Sequence, residues 1–350
     1  MVAGARDFSL NDDEVRNRIA GMHQPVRSRP PSHRLSRREF LTVASAAVAG
    51  MAAGGCSTVG GPSDNAEPIV DIHQHVGYSG RPDEVLLAHQ RALGVTTTIL
   101  LPAGRPVKIA STHEGNSNGL AAQALGNKAC YEFARAHPKE FRFAANEVPD
   151  VAGATMEIEN FLRLGAVMIA EQKFGVERDS PEMQRIYQLA GDFRVPVLMH
   201  WQFGRYNHGF ERFHKMLEKY PKVNFIGHAQ TWWANIDKNH QDQTVLYPKT
   251  NPVTPGGITD RYLADYPNMF GDLSAGSGLN ALTRDEDFAR DFLSRHQNKL
   301  LFGSDCNDHV GSGDKCQGAQ IISAIRRLSA NKEIERKLLY ANAKRVLRVS

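Results

Sequence analysis

Four short strings hold the residues best suited to chemistry: Val70-Asp71-Ile72-His73-Gln74-His75, Met199-His200, Gly227-His228 and Gly303-Ser304-Asp305. Each stands where an apolar, strand-like run ends. Imidazoles and a carboxylate gathered in this way suit a divalent transition ion, zinc above all. The chain has 14 His in 350 residues, so a chance His-x-His is expected about 0.5 times and the motif alone says little. Position says more. Residues i and i+2 of a strand project to one face, so His73 and His75 can reach one ion while Ile72 and Gln74 turn the other way. His200, His228 and Asp305, at the ends of later runs, are the further candidates for such a site. Three imidazoles and one carboxylate leave a coordination position for water, and a divalent ion makes such a water a competent nucleophile at neutral pH. Asp305 is then the candidate proton acceptor, and His228 the group placed to polarise a scissile carbonyl or orient the nucleophile.

These residues need a scaffold that presents several strand ends on one face. From Pro68 onward, β-rich runs alternate with helical patterns, the rhythm of parallel strands joined by helical crossovers. Eight runs are legible: 69–75, 96–101, 141–148, 166–173, 195–201, 223–229, 269–274 and 300–304. Helical patterns cover 82–93, 120–137, 181–193, 210–220, 285–296, 317–328 and 334–347. The Asp179-Ser180-Pro181-Glu182 string supplies a cap, a first-turn proline and an acid at the positive end of the helix dipole. Eight strands with intervening helices predict an α/β fold, a (β/α)8 TIM barrel, with catalytic groups at the C-terminal ends of the strands. The one long irregular stretch, 240–257, is expected as a lid or substrate wall.

Residues 1–55 read as a leader. Ser36-Arg37-Arg38-Glu39-Phe40-Leu41, followed by an uncharged Ala/Gly-rich stretch to Gly55, resembles a twin-arginine export signal. The stretch falls short of the ~20 apolar residues a membrane span needs. Ala53-Gly54-Gly55-Cys56 resembles a lipoprotein processing site, with Ala53 where Leu is commoner, and residues 56–67 have the composition of a flexible tether. Two fates stay open: a periplasmic domain anchored through an acylated Cys56, or one cleaved and released. The catalytic domain is assigned to residues 68–350.

Removing the leader, with its 8 Lys/Arg and 5 Asp/Glu, takes the formal charge from +4 to +1. No basic surface for nucleic acid is implied. Contact with a membrane is expected only through Cys56, and a small molecule is the expected partner, with self-association left open. Cys130 falls in a helical pattern and reads as a buried thiol. Cys306 and Cys316 bracket a Gly/Asp-rich loop in a chain read as exported, which predicts a loop-stapling disulfide.

Together with Leu339-Tyr340-Ala341-Asn342-Ala343, the four strings resemble the amidohydrolase superfamily, in its amidohydrolase-related branch of metal-dependent hydrolases and aromatic-acid decarboxylases. The resemblance runs from about Val70 to Leu347. It implies that His73, His75, His200 and Asp305 bind a divalent metal, commonly zinc, with His228 beside it. It also directs attention to the fourth strand. A Glu or carboxylated Lys there bridges two ions in some members, whereas in one-metal members the strand contacts substrate. Glu171 and Lys173 are the candidates, and Gln172-Lys173-Phe174 looks more like the one-metal pattern, so one ion is favoured over two. The expected activity is hydrolysis by a metal-activated water of a carboxylic ester, lactone or amide bond in a small, cyclic or aromatic substrate. The alternative is non-oxidative decarboxylation of an aromatic-type acid, and behind it a non-catalytic binding barrel. Export favours the hydrolase, since degradation of central aromatic acids belongs in the cytoplasm. Trp201, Trp232, Trp233 and Phe203 could stack a flat substrate. Arg105, with His113, Arg261 and Arg284, is a candidate carboxylate binder.

Overall fold

The computed structural model describes residues 67–105, 124–249 and 252–349. The twin-arginine string, Cys56, most of the tether and His113 lie outside the described residues. Eight strands follow in order: β1 (Val70–Gln74), β2 (Thr97–Leu100), β3 (Phe141–Phe143), β4 (Ile169–Gln172), β5 (Val197–His200), β6 (Phe225–His228), β7 (Met269–Asp272) and β8 (Leu300–Leu301). Each lies inside one of the eight predicted runs. All ladders are parallel, in the orders β1-β2-β3 and β4-β5-β6-β7-β8. Backbone bonds join the two sheets into a barrel. Val167 donates to Phe143 and Ala170 to Ala145 at one seam, while Ile72 donates to Phe302 and Asp305 to His73 at the other.

The barrel interior is apolar at one end and polar at the other. Val70, Ile72, Ile99, Ala144, Met168, Leu198, Ile226, Phe270 and Leu301 fill the inside, sealed by Val346 and Leu347 of the C-terminal segment. On β5, β6 and β7 the residue two positions after the interior Leu198, Ile226 or Phe270 is His200, His228 or Asp272. The period of two carries these side chains inward at the strand's C-terminal end. A larger apolar shell packs the outside of the strands against the helices.

The helices match their sequence signals where those signals are local. α1 (Asp83–Ala92), α2 (Asn127–Ala136), α4 (Pro181–Phe193), α9 (Glu286–Arg295) and α10 (Gln317–Leu328) fall within predicted segments. The Ser180 hydroxyl accepts from the Met183 amide with Pro181 in the first turn, as its string predicts. The 210–220 pattern divides into a 3-10 turn (Phe210–Arg212) and α5 (His214–Lys219). The 334–347 pattern is α11 (Lys332–Arg336) and α12 (Asn342–Leu347) joined by a π segment (Lys337–Ala341). Four helices lie outside the predicted segments: α3 (Ala154–Arg163), α6 (Gln230–Ala234), α7 (Ile258–Asp265) and α8 (Ala275–Thr283), although α3 buries a regular stripe of Ala154, Ile158 and Leu162. Among the described residues no helix is long and apolar enough to cross a membrane.

Candidate metal centre at the barrel mouth

His73 and His75 at the end of β1 are buried, and each is oriented through Nδ1. His73 Nδ1 lies 2.7 Å from Asp272 Oδ2, and His75 Nδ1 lies 2.8 Å from the Leu101 carbonyl oxygen. Each Nδ1 faces an acceptor, so Nε2 is the atom turned to the barrel axis and the one a metal would take on displacing any proton there. Both Nε2 atoms, Glu171 Oε2 and Asp305 Oδ1 are buried with no hydrogen-bond partner. They face one another. His73 Nε2 is 3.5 Å from Glu171 Oε2 and 3.7 Å from Asp305 Oδ1, and His75 Nε2 is 3.7 and 3.4 Å from the same oxygens. The four distances from the imidazole nitrogens to the carboxylate oxygens are near the ~3.3 Å spacing of donors on one ion with bonds of about 2.0 Å. The residues present therefore fit a divalent ion.

Glu171 also faces a second pair. Its Oε1 lies 2.5 Å from His200 Nδ1 and 3.7 Å from His228 Nε2, and His228 Nε2 is 3.6 Å from Asp305 Oδ2. Each carboxylate thus turns one oxygen to the His73/His75 pair and the other to His228. Of the expected shell, His73, His75 and Asp305 face one another, Glu171 faces the same imidazole nitrogens, and His200 Nδ1 is engaged by Glu171 Oε1. Lys173 is half-buried with its ammonium 5.9 Å from the Tyr206 ring centre, so it faces the mouth without joining the donor cluster.

Charge coupling holds the cluster in ionised form. Burial raises carboxylate pKa values, yet Lys173, His200 and His73 keep Glu171 well below the usual range. Burial is likewise outweighed at Asp305 by His73 and His75, and at Asp272, held down to about 2, by His73 and His228. His73 itself is raised well above the ordinary imidazole value because Asp305 and Asp272 outweigh its burial. His200 is lowered to about 4 by burial and the Lys173 cation.

Several supporting residues escaped the sequence reading. Asp272 accepts from Ser274 and lies 3.3 Å from His228 Nδ1, so one carboxylate steers two imidazoles. Its available signal was an acid at the end of an apolar run. Tyr78, three residues after His75, packs edge-on against the His75 ring at 4.8 Å between centroids. Asp71 accepts from the Ser304 amide and hydroxyl, and Gln74 donates to Ser304, which anchors the β8 loop to β1. Gly303 is required here. A Cβ on it would lie 2.6 Å from Asp272 Oδ1 and 2.8 Å from His73 Cβ. Asp305 itself has a positive φ of 43°.

The proposed substrate contacts divide. A cavity of about 510 Å³ adjoins the cluster, lined by Trp201, Gln202, Phe203, Tyr206, Thr231 and Gln243. Gln202 and Tyr206 both touch His200. Phe203 is the exposed aromatic at its rim, and Gln243 brings the long loop to its wall, as that loop's predicted role requires. Trp201 is fully buried, packing on Phe210 and Phe213 behind the wall. Trp232 is corrected to a core residue. It lies under β6, where a Cβ on Gly227 would fall 2.4 Å from its ring. Arg105 is paired with Glu147 at 2.6 Å and lines a separate surface hollow, so its candidacy as a carboxylate binder is also corrected. Arg284 is buried beneath the Trp233 and Ala234 carbonyls, and Arg261 caps Gly256.

No protein-family model matches the sequence, and no curated protein matches it. Solved structures do. A 5-carboxyvanillate decarboxylase from Sphingomonas paucimobilis aligns with a TM-score of 0.53 at 13% identity, over 81% of this chain and 100% of its own. A probable 2-pyrone-4,6-dicarboxylic acid hydrolase from Acinetobacter baumannii gives 0.52 at 13%, over 80% and 99%. A structure described as amidohydrolase II gives 0.53 at 18%, over 80% and 100%. The likeness establishes the fold: this chain is a (β/α)8 barrel of the type shared by amidohydrolases and related decarboxylases.

Proposed function

We propose that this chain is a metal-dependent hydrolase of the amidohydrolase type, acting on a carboxylic ester, lactone or amide bond of a small cyclic or aromatic acid. The observation that carries the reading is the set of four orphaned donor atoms of His73, His75, Glu171 and Asp305 facing one another at the C-terminal end of a barrel. His73, His75, Glu171 and Asp305 would hold one ion, and the outward oxygens of Glu171 and Asp305 with His228 and His200 offer a place for a second. A bound divalent ion, zinc by donor type, supplies Lewis acidity toward the scissile carbonyl and lowers the pKa of the attacking water. Asp305 accepts the proton of the attacking water and returns it to the leaving group. His228, oriented by Ser274 and Asp272, donates to the developing oxyanion. Lys173 and Tyr206 stand between the cluster and the cavity, where they fit a carboxylate on a flat ring. Fold relatives named for aromatic and pyranone acids agree with such a substrate. The Arg37-Arg38 string supports export to the periplasm, anchored or released at Cys56.

The deciding experiment is turnover of a panel of lactones and aromatic acids in ¹⁸O-labelled water by the metal-loaded protein. Hydrolysis places the label in the organic product. Release of carbon dioxide with no label incorporated would replace this reading with the decarboxylase.

A further inference from the structure

A second cluster of donor atoms lies outside the barrel mouth. His89 on α1, Cys306 just after Asp305, and Cys316 capping α10 are buried with their donor atoms within 4.8 Å of one another. The Cys306 and Cys316 sulfurs are 3.8 Å apart, which corrects the predicted disulfide: both thiols are free, and a bonded pair would stand at about 2.05 Å. Cys316 Sγ is 3.5 Å from His89 Nε2. A tetrahedral ion with bonds of about 2.3 Å to sulfur and 2.0 Å to nitrogen needs sulfurs about 3.8 Å apart and each about 3.5 Å from the imidazole nitrogen. The Cys306–Cys316 and Cys316–His89 distances match those edges. Asp308 Oδ2, 3.8 Å from His89 Nε2, is taken up by the Val310 and Gly311 amides.

We propose that His89, Cys306 and Cys316 form a zinc site distinct from the catalytic centre, with its fourth position left to a non-protein ligand. Two thiolates and an imidazole are soft to borderline donors, which select zinc over magnesium, calcium or manganese. The surroundings suit bound thiolates. The Ala319 amide donates to Cys316 Sγ at the N-terminus of α10, where the helix dipole favours negative charge. On binding, the two thiols release their protons and the ion ties α1 to the β8 loop and α10. The peptide between Cys306 and Asn307 is gripped on the other side, since the Cys306 carbonyl accepts from Arg81 and Gln74. The ion would complete the frame that sets the Asp305 backbone. This assignment does not depend on which reaction the barrel mouth performs.

The test uses the full chain, reduced and purified, loaded with zinc or cobalt(II) alone and freed of excess ion. Cobalt in the wild type is expected to give a near-ultraviolet sulfur-to-metal charge-transfer band. His73→Ala with His75→Ala should keep that band while losing the mouth ion, which separates this site from a two-ion catalytic centre. Cys316→Ser and His89→Ala should each lower zinc content by one ion per chain, and Cys316→Ser should lose the band. Should those variants fail to fold, the wild type and the His73/His75 variant still decide the matter. Absence of the band from both would overturn the proposal. So would a Cys306–Cys316 disulfide mapped in the chain isolated from an exporting cell.

Discussion

Two buried histidine–carboxylate groups in this molecule differ in what they leave undone. In the first, His296 Nε2 and Arg295 both reach Asp260 Oδ1 at 2.6 Å, while the Gly256 amide donates to Asp260 Oδ2 at 2.8 Å. Every polar atom of that carboxylate has a partner, and it ties α7 to α9. At the barrel mouth His73 and His75 are as deeply buried, but only their Nδ1 atoms are engaged, and donor atoms of four side chains face one another unpaired. Burying unpaired polar groups is costly, on the order of 1–3 kcal/mol each, so their concentration at one point marks a place built for something else. Proximity of His to Asp is architecture, and convergent unpaired lone pairs are a site.

This contrast predicts opposite mutational signatures. The largest effect is expected from His73→Ala with His75→Ala: loss of the mouth ion and of activity, with thermal stability of the metal-free protein held or raised, measured by metal analysis and calorimetry. A variant that retained full metal content would break the contrast. Asp305→Asn should lower kcat by on the order of 10²-fold or more with little change in KM, as expected for removal of a general base. Asp272→Asn removes the acceptor that steers His73 and His228, and should weaken metal affinity by about 10–100-fold, the usual cost of losing a carboxylate behind a metal-bound imidazole. A chelator titration reads it.

The smallest effect on turnover is expected at the satisfied group. Asp260→Asn should leave kcat within about twofold while destabilising the fold by roughly 1–3 kcal/mol, read by urea unfolding. Its pH dependence has a definite sign. His296, Arg295 and the Gly256 amide outweigh burial and hold the folded carboxyl below its ordinary value. The stabilisation is therefore whole above about pH 4, the unfolded pKa, and is lost as pH falls through the folded one. The gap between wild type and Asp260→Asn should narrow in acid, and a gap that widened would contradict the assigned pairing.

Much of the fold was legible because a barrel strand buried on both faces must read as a short apolar run, and the polar residue that ends it must be wanted there. His73, His75, His228 and Asp305 carried that signal in their own neighbourhoods. Helices with local caps were equally plain, whereas α3, α6, α7 and α8 take their positions from packing on neighbouring elements. The aromatic string after β6 misled, because Trp232 is defined by Gly227 leaving room for its ring and not by its nearness to the mouth in sequence.

By itself, the amino-acid order determined the parallel α/β barrel, the strand ends that supply ligands, and the kind of metal chemistry they suit. Only the tertiary structure decided partners. Asp272 meets His73 across 199 residues, Glu171 divides its two oxygens between two imidazole pairs, and Cys316 meets His89 across 227 residues. Such pairings depend on which strand closes against which and how far each side chain reaches across the ring, whereas local periodicity reports only which face a residue takes.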